Sequence, residues 1–357
     1  MLSEYRKMWA AIIIVLCLFS AVYAYSGGSG TSAAPYQIAT VNDWNNLTKT
    51  PSDWSKYFIM TADVNLQGVP LTPVGSSATN FTGVFNGDGY VIYNAAINTA
   101  GNNYVGLFGY VGNAGRIRYL GIEDVNIIAL SNVGGLAGRN YGGIAKCYVT
   151  GKVTAFDNYS GGIAGRNDGN IIDCYSTSDV NGLGDVGGLA GSNSSASADV
   201  NTSYSTGRVA GSGSPVGGLI GYNYHSDVND SFWDVNTSGK STSAAGIPKT
   251  TAEMQDANTF LNAKWDFFGE TANGTKDIWR MCVSGLYYPK LSWQSPQGDF
   301  VCPDGVNFTD FAYLAQRWLL TNCAATNNCD GTDIYTDGTV DFLDLGVFTD
   351  NWLEGQD

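Results

Sequence analysis

A tetrapeptide bounded by two glycines recurs five times in the middle of this 357-residue chain. The copies lie at 106–109, 135–138, 162–165, 188–191 and 218–221, so their spacing is nearly constant. Each copy places an aliphatic residue directly after its first glycine. A unit of this length is too short to fold alone, but it suits one coil of a solenoid with three short strands. Because glycine disfavours helices and a propeller blade needs about 40 residues, we predict a mainly β solenoid in which these aliphatic side chains stack.

An asparagine stands two positions after each of the last four tetrapeptides, at Asn140, Asn167, Asn193 and Asn223. Asparagine at one place on successive coils predicts a stacked ladder of side-chain amides. Arg139 and Arg166 should lie side by side in the same way, with Asp168 nearby. The acidic residues do not recur in register, so we interpret these charges as surface and turn residues and assign no catalytic residue.

The composition excludes several classes of protein. The chain is 44% hydrophobic and holds 21 Tyr, 15 Phe and 9 Trp, which is too rich for a disordered chain. His225 is its only histidine, which argues against a histidine zinc site or a Ser-His-Asp triad. A pI near 4.3 argues against nucleic-acid binding, because phosphate contacts need clustered Lys and Arg.

Together with two preceding segments, 36–65 and 81–92, the tetrapeptides resemble the GLUG-motif family of bacterial exported repeat proteins. The resemblance covers about residues 36–295. It implies a right-handed parallel β-helix, with an N-terminal helix-plus-strand cap, in a protein that can be part of an adhesin or a surface protease. We assign residues 36–239 to the β-helix and its N-terminal cap.

Residues 240–295 break the repeat and are predicted to form a C-terminal cap. Thr250 or Thr251 can cap a helix that runs to about Leu261, with Glu253 in its first turn. The bulky residues that follow would close the open end of the solenoid, because terminal repeats must differ from internal ones. The alternative is an aromatic platform for sugar rings. These residues are Trp265, Phe267, Phe268, Trp279, Tyr287, Tyr288 and Trp293.

The N-terminus has the pattern of a secretory signal peptide. Arg6 and Lys7 precede an uncharged run over 8–24 that ends in small or aliphatic residues. An uncleaved anchor helix is the alternative, since this run is just long enough to span a membrane. We therefore expect residues 1–24 to be removed, 25–35 to be a flexible lead-in, and the protein to be secreted or held at the cell surface.

The negative charge is concentrated at 299–357, where ten Asp and one Glu face a single basic residue, Arg317. This segment contains a duplication. Phe308 and Trp318 recur as Phe342 and Trp352, with the same offset in both cases. Apolar residues at helical spacing follow each Phe, so each copy is predicted to contain an amphipathic helix.

The second copy contains a 12-residue loop, 333–344, with the pattern of a calcium site. A hard cation needs oxygen ligands on a loop that curls around it, and a glycine at position 6 permits the sharp bend. Gly338 takes that place, whereas Tyr335 at position 3 removes one usual ligand. The candidate Ca²⁺ ligands are the carboxylates of Asp333, Asp337 and Asp344, the carbonyl of Thr339, and Asp341 directly or through water.

The duplicated loop-helix units resemble a type I dockerin, and residues 297–357 cover the whole module. The resemblance implies a small helical calcium-binding domain that docks onto a cohesin-type partner. The first loop departs from the pattern. A full-length frame from Asp299 to Asp310 misplaces the glycine, and a shortened loop using Asp304, Asn307 and Asp310 is the other possibility. Calcium is therefore expected at the second loop and doubtful at the first.

Six cysteines remain after the signal sequence. One disulfide from Cys302 to Cys323 or Cys329 could hold the degenerate first loop closed in place of a metal. Cys147 and Cys174 occupy equivalent places in adjacent coils, where a disulfide and stacked free thiols both remain open.

Two functions follow from these features. The first is an exported, non-catalytic β-helical surface or adhesion protein that docks through its calcium-binding module to a cohesin-type partner. The alternative is a carbohydrate-active enzyme, a glycoside hydrolase or polysaccharide lyase, because dockerins usually append such enzymes. Polysaccharide is a candidate ligand in both cases.

Overall fold

Three parallel sheets run side by side along residues 36–249 and form a right-handed solenoid of about seven turns. The structure is a computed structural model, and it describes residues 25–302, 305–323 and 326–355. The predicted signal sequence, residues 1–24, lies outside the described residues. Every strand pair of the solenoid is parallel, as predicted for a β-helix.

The strands of each sheet follow one another in coil order. Sheet A has eight strands: Tyr36–Ile38, Tyr57–Met60, Val84–Asn86, Arg116–Arg118, Gly143–Ala145, Asn170–Ile172, Val200–Asn201 and Val228–Asn229. Sheet B has five: Phe108–Val111, Ala137–Asn140, Ala164–Asn167, Ala190–Asn193 and Ile220–Asn223. Sheet C has fourteen: Val64–Asn65, Val91–Tyr93, Ala96–Val105, Gly121–Gly134, Tyr148–Ala155, Ser160–Gly161, Tyr175–Ser176, Asp179–Gly182, Val186–Gly187, Tyr204–Ser205, Val209–Gly211, Val216–Gly217, Phe232–Asp234 and Ile247–Lys249.

The remaining elements are short and lie mostly outside the solenoid. A two-stranded antiparallel ribbon joins Trp279–Arg280 to Lys290–Leu291. The α-helical segments are Val41–Lys49, Val235–Ser238, Thr251–Met254, Ala257–Leu261, Phe308–Gln316, Asn327–Asp330 and Phe342–Asp350. Two 3₁₀ turns span Pro51–Asp53 and Ser292–Gln294.

The register of sheet B confirms the predicted stacking of the tetrapeptides. Ala137 pairs with Ala164, and Ala164 pairs with Ala190. The aliphatic residue of every copy is buried in one continuous core: Leu107, Leu136, Ile163, Leu189 and Leu219. The repeat period therefore equals one coil.

Close approach of neighbouring coils explains the first glycine of the tetrapeptide. A Cβ on Gly162 would lie 1.9 Å from Ser176 Oγ and 2.5 Å from the carbonyl oxygen of Gly188 in the next coil. Gly162 is not among the glycines with positive φ. The requirement at this position is therefore space rather than a left-handed backbone.

The asparagine ladder is confirmed on the inside of the turns. Asn140 Nδ2 donates to Asn167 Oδ1 at 2.7 Å, and Asn167 Nδ2 donates to Asn193 Oδ1 at 2.8 Å. Asn193 Nδ2 continues to Asn223 Oδ1 at 3.2 Å. The first three side chains are fully buried, so each amide replaces water for its neighbours.

The C-terminal cap also runs along the side of the solenoid, which corrects the expectation that it only closes the end. Tyr148, Tyr175 and Tyr204 stack on successive coils with ring centroids 5.1 and 5.0 Å apart. Their hydroxyl ends and faces meet the cap: Tyr204 donates to the carbonyl of Pro289, and Tyr175 donates to Gln294 Oε1 at 2.9 Å. The cap therefore covers a second, aromatic ladder.

The caps differ from expectation in two further places. The expected single helix from Thr250 to Leu261 is two helices, because Asp256 starts a new helix by capping Asn258. Thr250, one of the two predicted N-caps, caps the first helix, and it forms a capping box with Glu253 of the first turn. The lead-in 25–35 is not loose at its start: the backbone N–H and hydroxyl of Ser26 both donate to the buried Asp43, at 2.8 and 2.7 Å.

Candidate functional site

The two halves of the C-terminal module (residues 297–355) make equivalent contacts with each other. Leu319 N–H donates to the carbonyl of Val340 at 2.8 Å, and Leu353 N–H donates to that of Val306 at 3.0 Å. Each contact maps onto the other by the offset of the duplication. The predicted helices are present as Phe308–Gln316 and Phe342–Asp350.

Two aromatic pairs are also equivalent in the duplication. Phe308 meets Trp352 edge-on with ring centroids 5.0 Å apart, and Phe342 meets Trp318 in the same way at 5.2 Å. The two phenylalanines are 78% and 77% exposed. Further large apolar side chains of the module are exposed: Phe311, Leu319, Leu320, Leu343 and Leu353. We call these residues, with Phe308 and Phe342, the apolar face of the module.

Loop 2 (333–344) is folded around its first and last carboxylates. Asp333 accepts from the N–H groups of Asp337 and Gly338 at 3.1 and 3.0 Å. Asp344 accepts from the N–H groups of Tyr335 and Asp341 at 2.9 and 2.8 Å. Both carboxylates are buried although they carry like charge. Gly338 has φ +96°, so the glycine at position 6 makes the bend that was predicted for it.

The electrostatics of loop 2 favour a cation. Burial raises the pKa of Asp333, and the carboxylates of Asp344 and Asp337 raise that pKa further, against the hydrogen bonds from the loop. No Lys or Arg of the described chain lies within ion-pair distance of Asp333 or Asp344. A divalent cation would compensate this charge.

The side chains of loop 2 are not all turned toward a common metal position. Within the described residues, no three or more His, Cys, Asp or Glu side chains are already grouped as a metal site. Asp337 Oδ1 instead accepts from the N–H and hydroxyl of Thr339, at 3.0 and 2.8 Å. The residues and bend suit Ca²⁺, and Asp337 would have to turn from Thr339 to bind it.

Loop 1 (299–310) has the same full-length frame as loop 2. Asp310 accepts from the N–H groups of Val301 and Asn307 at 2.6 and 3.0 Å. These bonds are the counterparts, in the first copy, of those that Tyr335 and Asp341 make in loop 2. These bonds are consistent with the full-length frame, and Asp304, which the shortened alternative used, lies outside the described residues.

A basic side chain from the cap reaches loop 1. Arg280 Nη2 lies 3.6 Å from Asp299 Oδ1, and the two side chains are 8% and 5% exposed. Burial lowers the pKa of Arg280, and the carboxylates of Asp299 and Asp310 oppose that change. The guanidinium also stands over the ring of Phe268, 4.8 Å from its centre. No motif in the sequence connects Arg280 to this loop, so sequence reasoning missed it.

The disulfides correct the predicted pairing. Cys302 bonds to Cys282 in the cap, and Cys323 bonds to Cys329. The sequence argument considered only the three cysteines that crowd the module, whereas the fold brings Cys282 close from a distant segment. Cys147 and Cys174 are free, buried thiols, and burial raises the pKa of Cys174 well above its usual range.

The charged residues on the side of the solenoid form a structural ion-pair cluster. Asp168 Oδ2 lies 2.8 Å from Arg139 Nε and 3.1 Å from Arg166 Nε. The guanidinium of Arg139 also stacks on Tyr141, 4.5 Å from the ring centre. His225 has φ +54°, a backbone conformation typical of a turn residue. These contacts satisfy the carboxylate and leave no paired acids there for hydrolysis.

A shallow groove lies beside this cluster. Its volume is about 520 Å³, and it is lined by Tyr159, Arg166, Asp185, Ser192, Ser194, Pro215, Tyr222 and Tyr224. Burial raises the pKa of Asp185 in spite of the nearby Arg166. By contrast, Trp265 and Trp279 of the cap are fully buried and cannot serve as a sugar platform.

Comparison with known proteins identifies the repeat. The model of the GLUG motif matches residues 129–154 and 157–181. Those ranges contain the tetrapeptides at 135–138 and 162–165, so these two coils of the β-helix match the GLUG motif. In the described residues, no helix is both long enough and apolar enough to cross a membrane.

Two curated relatives share part of the chain. A protein of Evansella cellulosilytica described as a Gly-rich membrane protein is 31% identical over 72% of this chain and 46% of its own length. Halomucin of Haloquadratum walsbyi is 28% identical over 38% of this chain and 2% of its own length. The chain thus spans about half of the first relative and a small part of the second.

One solved structure shares the fold. A Bacteroides ovatus protein, solved as a candidate immunoglobulin A1 protease, aligns with a TM-score of 0.57 and 20% identity. The alignment covers 75% of this chain and 95% of that one. At this identity the likeness supports the β-solenoid and carries no activity across.

Proposed function

We propose that this is an exported surface or adhesion protein without catalytic activity, in which the β-helix presents a binding surface. The predicted signal sequence supports export. The description of the Evansella cellulosilytica relative as a membrane protein supports a place at the cell surface. The C-terminal module would connect the β-helix to a cohesin-type partner.

The duplicated apolar face is the observation that carries the docking proposal. Single exposed apolar residues are common, but a contiguous apolar patch marks an interaction site. Here Phe308 and Phe342 are exposed at equivalent places of two related halves. A groove of about 440 Å³ beside Phe308, lined in part by Phe348 and Trp352, can receive an apolar side chain of the partner.

Calcium would act through loop 2 in this proposal. Asp333, Asp337, Asp341 and Asp344 with the Thr339 carbonyl would hold Ca²⁺, which neutralises the loop and keeps it closed. The loop leads directly into the helix that starts at Phe342. Metal binding would therefore fix one half of the apolar face.

The test measures binding of the purified protein to immobilised type I cohesin domains, with calcium and with a chelator. We expect binding in calcium, loss of binding in chelator, and loss of at least tenfold in affinity for Phe308→Ala/Phe342→Ala. Phe156→Ala is the matched control, because Phe156 is 57% exposed on the solenoid. Absence of binding to any cohesin domain, or equal binding by the double variant, would contradict the docking proposal.

A second candidate function rests on the groove beside Arg166. Exposed tyrosines next to a carboxylate of raised pKa are compatible with binding or cleaving a polysaccharide. An enzyme would release reducing or unsaturated sugars from a polysaccharide panel and lose this activity in Asp185→Asn. A binding protein would lose retention on the polysaccharide in Tyr222→Ala/Tyr224→Ala without product release.

A further inference from the structure

We propose that Arg280 supplies, from within the chain, the positive charge that a calcium ion would supply in loop 1. Loop 1 would then be a permanently filled cation site that fastens the module to the cap. This inference concerns loop 1 alone and does not require that the module docks to a cohesin.

The described residues of loop 1 repeat the hydrogen bonds that close the end of loop 2. Its last carboxylate, Asp310, accepts the same two backbone N–H groups as Asp344 does in loop 2. Its first carboxylate, Asp299, is the counterpart of Asp333 in the duplication, and both are buried. The two loops thus have a similar frame and a similar pair of buried negative charges.

The loops differ in what compensates this charge. In loop 2, Asp333 accepts two backbone N–H groups, one of them from Asp337 at position 5. In loop 1, the buried guanidinium of Arg280 lies 3.6 Å from Asp299 Oδ1. Burial lowers the pKa of Arg280, and the carboxylates of Asp299 and Asp310 oppose that change.

Arg280 is held in position by its backbone pairing, by the packing of its side chain and by a nearby disulfide. It belongs to the ribbon strand that pairs with Lys290, and its guanidinium packs over Phe268. Just beyond it in the chain, Cys282 is bonded to Cys302 of loop 1. The cap thus contributes both a cation and a covalent link to the same loop, and loop 1 needs no metal to stay closed.

The test counts calcium ions bound by the whole protein in a titration that reaches about 10 mM Ca²⁺, above the dissociation constants of extracellular calcium modules. Arg280→Met removes the charge and keeps an unbranched apolar stem. We expect it to bind one calcium ion more than wild type, and we expect Arg280→Met/Asp310→Asn to lose that extra ion. Arg317→Met, which breaks the exposed pair with Asp330, is the control and should leave the number unchanged.

Two further measurements keep the proposal falsifiable. Arg280→Lys retains the charge, so it should bind the wild-type number of ions. If Arg280→Met does not fold in chelator, folding on addition of calcium supports the proposal, and failure to fold in both buffers contradicts it. An unchanged calcium number in folded Arg280→Met would overturn the proposal.

Discussion

The asparagine ladder predicts that Asn167→Ala destabilises the β-helix far more than the same change at the ladder's end. Asn167 Nδ2 donates to Asn193 Oδ1 and to the carbonyl of Gly169, both at 2.8 Å, and its Oδ1 accepts from Asn140 at 2.7 Å. Gly169 N–H also donates to Asn167 Oδ1 at 3.4 Å, so truncation removes four buried hydrogen bonds. Each is worth about 1 kcal/mol net, and a partner left unsatisfied adds about 1–3 kcal/mol. We expect a loss of about 3–5 kcal/mol in the free energy of unfolding.

Asn223→Ala is the matched control at the end of the ladder. Asn223 accepts from Asn193 at 3.2 Å and donates to the carbonyl of Ser226 at 3.0 Å, and it is only partly buried. Water can replace these partners, so its loss should be about 1 kcal/mol. Urea unfolding followed by tryptophan fluorescence measures both. Equal losses at the two positions, or a loss below about 1 kcal/mol for Asn167→Ala, would refute the assignment of stability to the buried ladder.

Three further predictions follow from the packing and charges. Gly162→Ala should lower the free energy of unfolding by at least about 2–3 kcal/mol, because its Cβ would meet Ser176 and the backbone of Gly188. The control, Gly101→Ala, has open space around its Cβ and should change that free energy by less than about 0.5 kcal/mol. Burial would raise the pKa of Asp43, but hydrogen bonds from Ser26 and Thr40 outweigh burial and lower that pKa below its usual value. The ionised carboxylate therefore stabilises the fold at pH values above the unfolded pKa, and this stability is lost as pH falls through the folded pKa. Asp43→Asn should flatten this acid limb of a stability-against-pH curve, and an unchanged limb would contradict it. Cys282→Ser/Cys302→Ser should lower the unfolding free energy by about 3 kcal/mol, the value for closing a loop of this length, and thermal melts that match wild type would contradict a link between cap and module.

Local and repeated features of this fold could be predicted from the sequence. The position of Asn167 within its repeat predicted its ladder contacts, because that pattern is set by the repeat period. Thr250 or Thr251 with Glu253 predicted the start of a helix, because that pattern is set by near neighbours. The loop-2 frame from Asp333 to Asp344 follows from spacing in the same way, and the structure shows the expected bend at Gly338.

Contacts between distant segments could not be predicted. Arg280 reaches Asp299, and Cys282 reaches Cys302, only because the cap folds back along the side of the solenoid. The stack of Tyr148, Tyr175 and Tyr204 guides that path, yet in the sequence these residues read only as β-prone runs. In the sequence, the local signs that loop 1 departs from its duplicate are Pro303 at position 5 and the glycine, Gly305, one position late.

The most direct test of the account is a crystal structure of the wild-type protein grown with calcium, with anomalous scattering used to locate the ions. The account predicts one Ca²⁺ in loop 2, bound by Asp333, Asp337, Asp344 and the Thr339 carbonyl, and Arg280 beside Asp299 in loop 1. A calcium ion in loop 1, or the absence of a calcium ion from loop 2 in this crystal, would contradict the account.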